Sequence, residues 1–157
     1  MQMIIENDSH LPTATHRHDF IELGEPDVPE MVELATLTKP GPFATRTREM
    51  GTYLGIRKGG KLAAMAGERL KLPGYTEISA VCTHPDHIGH GYAGFLMTIL
   101  AERIRARGEV PFLEVRPENT RAIRLYERLG FKPRLLYHYA VFRAAKPRAA
   151  QAAAKPK

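Results

Sequence analysis

The sequence predicts a single α/β domain built on a mixed, mostly antiparallel twisted sheet flanked by helices. Three observations carry that expectation. From Thr52 to Thr83 the chain reads as an antiparallel meander, with Lys58-Gly59-Gly60-Lys61 as a hairpin turn and Leu72-Pro73-Gly74 as a second reversal. From Glu77 to Arg107 a strand, a glycine-rich turn and an amphipathic helix follow one another. A second strand and helix then lead to a last strand.

The chain has 157 residues, enough for one core without disulfides or metals, and the composition of an ordinary globular protein. Its single cysteine, Cys82, has no internal partner, which points to a reducing cytoplasm. No apolar run approaches the length of a membrane span, and MQMIIENDSH carries acids where a signal peptide is basic. The formal charge is +6, but Lys146, Arg148, Lys155 and Lys157 lie in the acid-free stretch AAKPRAAQAAAKPK, and subtracting those four leaves +2. Basicity is thus a property of the tail, and no specific nucleic-acid partner is expected. The expected organisation is a flexible arm over 1–18, a folded domain over 19–143 and a disordered basic tail over 144–157. His10, His16 and His18 have no accompanying cysteine or carboxylate cluster, so they are expected as solvated histidines and not as metal ligands.

In order, Asp19–Leu23 reads as a short strand. Pro26 opens a helix carrying Val28, Met31, Val32, Leu34 and Ala35, which Lys39-Pro40-Gly41-Pro42 ends. Residues 43–51 are polar, with a short helix expected at most. Strands follow at Thr52–Arg57, Leu62–Leu70 and, centrally, Tyr75–Thr83. The next helix carries Phe95, Leu96, Ile99, Leu100 and Ile104 on one face, with Glu102, Arg103 and Arg105 on the other. Gly108 ends it, and Pro111–Val115 is a strand. Asn119 caps a helix whose Ala122, Leu125, Tyr126 and Leu129 share a side, with Gly130 as its left-handed terminator. Leu135–Phe142 is the last expected strand.

A glycine-rich turn between strand and helix presents backbone N–H groups and a helix N-terminus to an anion, with no Cβ in the way. Gly89-His90-Gly91-Tyr92-Ala93-Gly94 fits the dinucleotide-binding spacing G-x-G-x-x-G, and Glu114 lies near the end of the following strand. A doubly wound sheet, however, places that loop after its first strand and continues in βαβ units. Here the loop follows a meander and only two crossover helices remain. The same letters, Ile88-x-x-Gly91-x-Ala93, resemble the Gln/Arg-x-x-Gly-x-Gly/Ala loop of the GNAT superfamily of acetyl-CoA-dependent N-acyltransferases. Asn119, Ala122, Leu125-Tyr126 and Gly130-Phe131 are similar to that superfamily's later motif, in the same order. The resemblance covers about residues 52 to 142.

The resemblance implies transfer of an acetyl group from acetyl-CoA to a primary amine, by direct attack within a ternary complex. A non-catalytic acyl-CoA-binding module of the same fold is the alternative. The resemblance places Tyr126 as general acid at the thioester sulfur. Glu77 and Glu114 both match positions of a general base, and the choice between them stays open. Backbone groups of Val81, Cys82 and Thr83 are expected to pair with the cofactor's pantetheine arm as an added strand, with Asn119 bonding the same arm. The N–H groups from Gly89 through His90, Gly91, Tyr92 and Ala93 to Gly94 are expected on the pyrophosphate. Ile88 departs from the motif and removes one side-chain donor, for which His87 or His90 could substitute when protonated. No metal is implied. The acceptor is a small-molecule amine or a peptide or protein amine, and a homodimer is left open.

Overall fold

The computed structural model describes residues 1–6, 17–138 and 140. Its strands are β1 (Gln2–Ile4), β2 (Ile21–Glu22), β3 (Tyr53–Lys58), β4 (Lys61–Leu72), β5 (Tyr75–Thr83), β6 (Val110–Glu114) and β7 (Lys132–Leu135). Helices α1 (Val28–Thr38), α2 (Tyr92–Ala106) and α3 (Thr120–Arg128) complete the described elements, with short 3-10 turns between. The strands form one sheet in the order β2-β3-β4-β5-β6-β1-β7. Each neighbouring pair is antiparallel except β5 and β6, which run parallel.

That exception positions the site. The parallel ladder joins Tyr75, Thr76 and Glu77 to Val110, Pro111 and Phe112 and then stops. Within β5, Met65 pairs with Cys82 and Gly67 with Ser79, so β5 carries one residue more than β4 over this interval. Ala80 lies in that bulge at φ 52°, a left-handed conformation that costs a residue with a side chain about 1–2 kcal/mol. A bulge bends its strand and adds twist, which carries the end of β5 away from β6. A cleft of about 1850 Å³ opens where the two strands part.

The sheet's two faces are covered unequally. Leu54, Ile56, Ala64, Ala66 and Ile78 join Leu96, Leu100 and Ile104 of α2 in one core, which also takes in Met3, Leu113, Tyr126 and Phe131. Tyr53, Met65, Ala80 and Cys82 join Met31, Leu34 and Ala35 of α1 in the other. Neighbours such as Tyr53 and Leu54, or Met65 and Ala66, fall in different cores because successive strand side chains point to opposite faces. Gly67 is fixed by this packing, since a Cβ there would lie 2.2 Å from Cδ1 of the fully buried Tyr53 ring. Gly67→Ala is therefore expected to destabilise the fold by about 1–3 kcal/mol, read as a lowered melting temperature. An unchanged melting temperature would mean the ring has another place to go.

Three expectations are corrected. Residues 1–6 are not part of a flexible arm: β1 inserts between β6 and β7, with Met3 and Ile5 fully buried. Three paired residues are too few to show a period of two without their partners in view. His18 is half-buried and packs edge-on against Tyr92 and Phe95, at centroid distances of 4.7 and 5.4 Å, rather than lying in solvent. The last strand starts earlier than expected, at Lys132, and ends at Leu135, so residues 136–138 lie outside it. The expectations for residues 7–16, 139 and 141–157, including the basic tail, lie outside the described residues.

Candidate active site

Leaving β5 at Thr83, the chain makes a single 3-10 turn at Pro85–His87, in which His84 Nδ1 accepts from the Asp86 N–H at 3.3 Å. It then bends through Gly89 (φ 94°) and Gly91 (φ 77°) to start α2. Gly91 is the N-cap, with no side-chain cap bond, and its carbonyl accepts the Phe95 N–H at 3.0 Å. The N–H groups of Tyr92, Ala93 and Gly94 therefore have no acceptor within the helix. Gly89, Gly91, Tyr92, Ala93 and Gly94 all line the cleft, so these donors and the positive end of α2 form an anion cup at its end. His90 is not among the lining residues: its ring stacks on Tyr92 and its Nδ1 lies 3.1 Å from the His87 carbonyl oxygen. Ile88 lines the cleft with 44% of its surface exposed.

Val81, Cys82 and Thr83 form the β5 wall. They lie beyond the point where the ladder to β6 ends, so β5 presents an unpaired edge to the cleft here. Burial pushes the Cys82 thiol up to about 11, which keeps it protonated and unreactive near neutral pH.

The opposite wall is α3. Asn119 caps it, its Oδ1 accepting the Ala122 N–H at 3.2 Å, and Asn119 itself faces the cleft. One helical stripe brings Ala122, Leu125, Tyr126 and Leu129 to the wall together. Tyr126 is buried, packs edge-on against Phe131, and burial pushes its phenol up to about 12. Tyr53, buried on the other face, is pushed to about 12 as well. Both phenols are held neutral by the fold, so their contribution is fully present below about pH 10 and lost as pH rises through about 12. Each two-unit shift corresponds to roughly 3 kcal/mol. Denaturant titrations at pH 9 and 11.5 should show that loss, and equal stabilities would contradict it.

The two candidate bases stand in different surroundings. Glu77 is 1% exposed, and both its oxygens are taken by Arg69, Nε at 2.9 Å and Nη2 at 2.7 Å. Burial raises its pKa, with the Arg69 bonds opposing. Glu114, at the end of β6, is 22% exposed. The Tyr137 hydroxyl donates to its Oε1, and Arg69 Nη2 stands 3.8 Å from its Oε2. Both carboxylates line the cleft. Arg69 thus stands beside both carboxylates, while Arg116 lines the cleft. Two contributors escaped the sequence reading. Tyr137 lies past the end of a strand, where no periodicity marks it. Thr38–Pro42 reach the cleft by the turn after α1, where Lys39 is left-handed at φ 52°. No metal-binding cluster of three or more His, Cys, Asp or Glu occurs among the described residues, and no described helix is long and apolar enough to cross a membrane.

An open, mostly antiparallel sheet flanked by helices is the fold this chain shares with solved GNAT acetyltransferase structures. The model of the FR47-like protein family matches residues 53–140, and the chain belongs to that family, within the GNAT superfamily. A protein from Novosphingobium aromaticivorans assigned to the GNAT acetyltransferases is 46% identical with a TM-score of 0.76, over 85% of this chain and 58% of that one. N-alpha-acetyltransferase RimI of Mycobacterium tuberculosis is 36% identical over 100 residues, 59% of this chain and 62% of the relative. The ribosomal-protein-S18-alanine N-acetyltransferase of Escherichia coli is 26% identical with a TM-score of 0.65, over 74% and 79% of the two chains. The chain thus spans about three fifths of the length of the first two relatives.

Proposed function

We propose that this protein transfers an acetyl group from acetyl-CoA to a primary amine, within a ternary complex and without an acyl-enzyme. The observation that carries the reading is the cleft itself. It joins an anion cup at the start of α2 to a neutral phenol on α3 and a partly exposed carboxylate on β6. The cup fits a diphosphate, and the open β5 edge at Val81–Thr83 fits the amide-bearing pantetheine arm, with Asn119 across from it.

Glu114 serves as the base and Glu77 as its support. Glu77 has both oxygens committed to Arg69, whereas among the described residues no donor lies within hydrogen-bond length of Glu114 Oε2. The amine enters in its neutral form, and Glu114 takes the proton that the attacking nitrogen gives up, directly or through one water. The nitrogen forms a bond to the thioester carbon, the C–S bond breaks, and Tyr126 gives its proton to the departing thiolate. The products are an amide and the CoA thiol. The names of the relatives favour a peptide N-terminus, alanine in particular, as the acceptor. Cys82 as a lone thiol favours a cytoplasmic setting. Ile88, apolar and exposed at the rim where the superfamily's loop carries a donor, favours a second reading, a module that binds acyl-CoA without turnover. Release of CoA thiol, measured over a panel of small amines and alanine-initiated peptides, decides between them. Binding of acetyl-CoA with no turnover on any acceptor would overturn the enzymatic reading.

A further inference from the structure

We propose that Tyr137 is a positioning residue for this reaction, holding the Glu114 carboxylate in the orientation from which it takes the acceptor's proton. The inference rests on Glu114 being the base.

Glu114 is the last residue of its strand, and its side chain has three torsions to fix. Two contacts act on its carboxylate, one at each oxygen. The Tyr137 hydroxyl donates to Oε1, a charge-assisted bond of the strong kind. Arg69 faces Oε2 at 3.8 Å, beyond hydrogen-bond length, so it supplies positive field without occupying the oxygen. Arg69 is itself immobilised, because Nε and Nη2 are both spent on the buried Glu77. Glu77, Arg69, Glu114 and Tyr137 therefore form one chain of side chains, drawn from β5, β4, β6 and the segment after β7. In that chain Oε1 is held and Oε2 is left as the acceptor. Without Tyr137 the carboxylate swings about its remaining contact, and misplacement of about 1 Å costs a positioned group up to about 10²-fold in rate.

The device lies away from the cofactor's phosphates. Glu114 lies two residues beyond the last β5–β6 pair, Glu77 with Phe112, on the β6 side of the parting, whereas the anion cup lies past Thr83 at the far end of β5. Its loss should therefore appear in turnover and not in cofactor affinity.

The test compares Tyr137→Phe, Glu114→Gln and the double variant with wild type, using the best acceptor of the panel under conditions where chemistry limits the rate. Phenylalanine keeps the ring, and thermal melting checks the fold. Tyr137→Phe is expected to lower kcat about 10- to 100-fold with the KM for acetyl-CoA within about twofold of wild type. Glu114→Gln should cost more, and the double variant should be no slower than Glu114→Gln alone, because a support has no effect once its carboxylate is gone. A Tyr137→Phe rate within about twofold of wild type, or a double loss equal to the product of the single losses, would overturn the proposal while leaving Glu114 as the base. Wild-type kcat in Glu114→Gln would remove the base assignment, and this inference with it.

Discussion

Replacing Gly91 by glutamate is expected to abolish acetyl-CoA binding, and this is the largest single effect the site allows. Gly91 sits at φ 77°, where a residue with a side chain is strained by about 1–2 kcal/mol. The added carboxylate would stand at the mouth of the anion cup, before the free N–H groups of α2. At about 4 Å from a phosphate the repulsion is on the order of 4 kcal/mol per charge pair at the effective dielectric of a protein surface. Together these correspond to a loss of about a thousandfold or more in affinity. Gly91→Ala separates the two causes, since it keeps only the backbone strain and should lose about tenfold. The fold is expected to survive in both, because the strain is small against the stability of a domain, and in Gly91→Glu the acid at a helix N-terminus is electrostatically favourable. Calorimetry settles the matter: an affinity within about threefold of wild type for Gly91→Glu would remove the anion cup from the argument.

Tyr126→Phe is expected to lower kcat by about 10²- to 10⁴-fold, the range of a positioned acid, while acetyl-CoA affinity and melting temperature stay near wild type. The phenyl ring keeps its packing against Phe131 and the α3 stripe, so only the proton is lost. A thiolate is already a fair leaving group, which places the expectation at the low end. Because burial holds the phenol at about 12, the acid stays loaded across the neutral range, and Tyr126 should cause no fall in rate below about pH 10. Wild-type turnover in Tyr126→Phe, with chemistry limiting, would make Tyr126 a packing residue and leave water as the acid.

How much of this was legible in the sequence depended on whether the signal was local. The long elements were, because periodicity, caps and breakers lie within a few residues of one another. The central strand runs from Tyr75 to Thr83 as read, and Asn119 and Gly130 bound α3 as expected, with Gly130 left-handed at φ 90°. The glycine loop was legible for the same reason, and most of the expected site residues do meet at one cleft. What was missed is nonlocal. β1 owes its existence to partners more than a hundred residues away. The choice between Glu77 and Glu114 turns on Arg69, eight residues from the first, and on Tyr137, twenty-three from the second. His90 fits the loop spacing, but its ring turns onto Tyr92, a geometry that a spacing rule cannot contain.

The place of β1 in the sheet also dictates an order of assembly. Gln2–Ile4 lie between β6 and β7, pairing with Phe112–Glu114 on one side and with Lys132, Pro133 and Leu135 on the other. Without β1, β6 is tied to the rest of the sheet by three parallel pairs, and β7 by none. The meander, whose partners are neighbours in sequence, can close early because short loops lose little entropy. The β6-β1-β7 edge must instead wait for a loop of more than a hundred residues to close. The wall that carries Tyr126 joins the chain between β6 and β7. The anion cup, borne by the segment from β5 to α2, can thus take shape before that wall is locked in place, and the zipping of one three-residue strand is the step that completes the cleft.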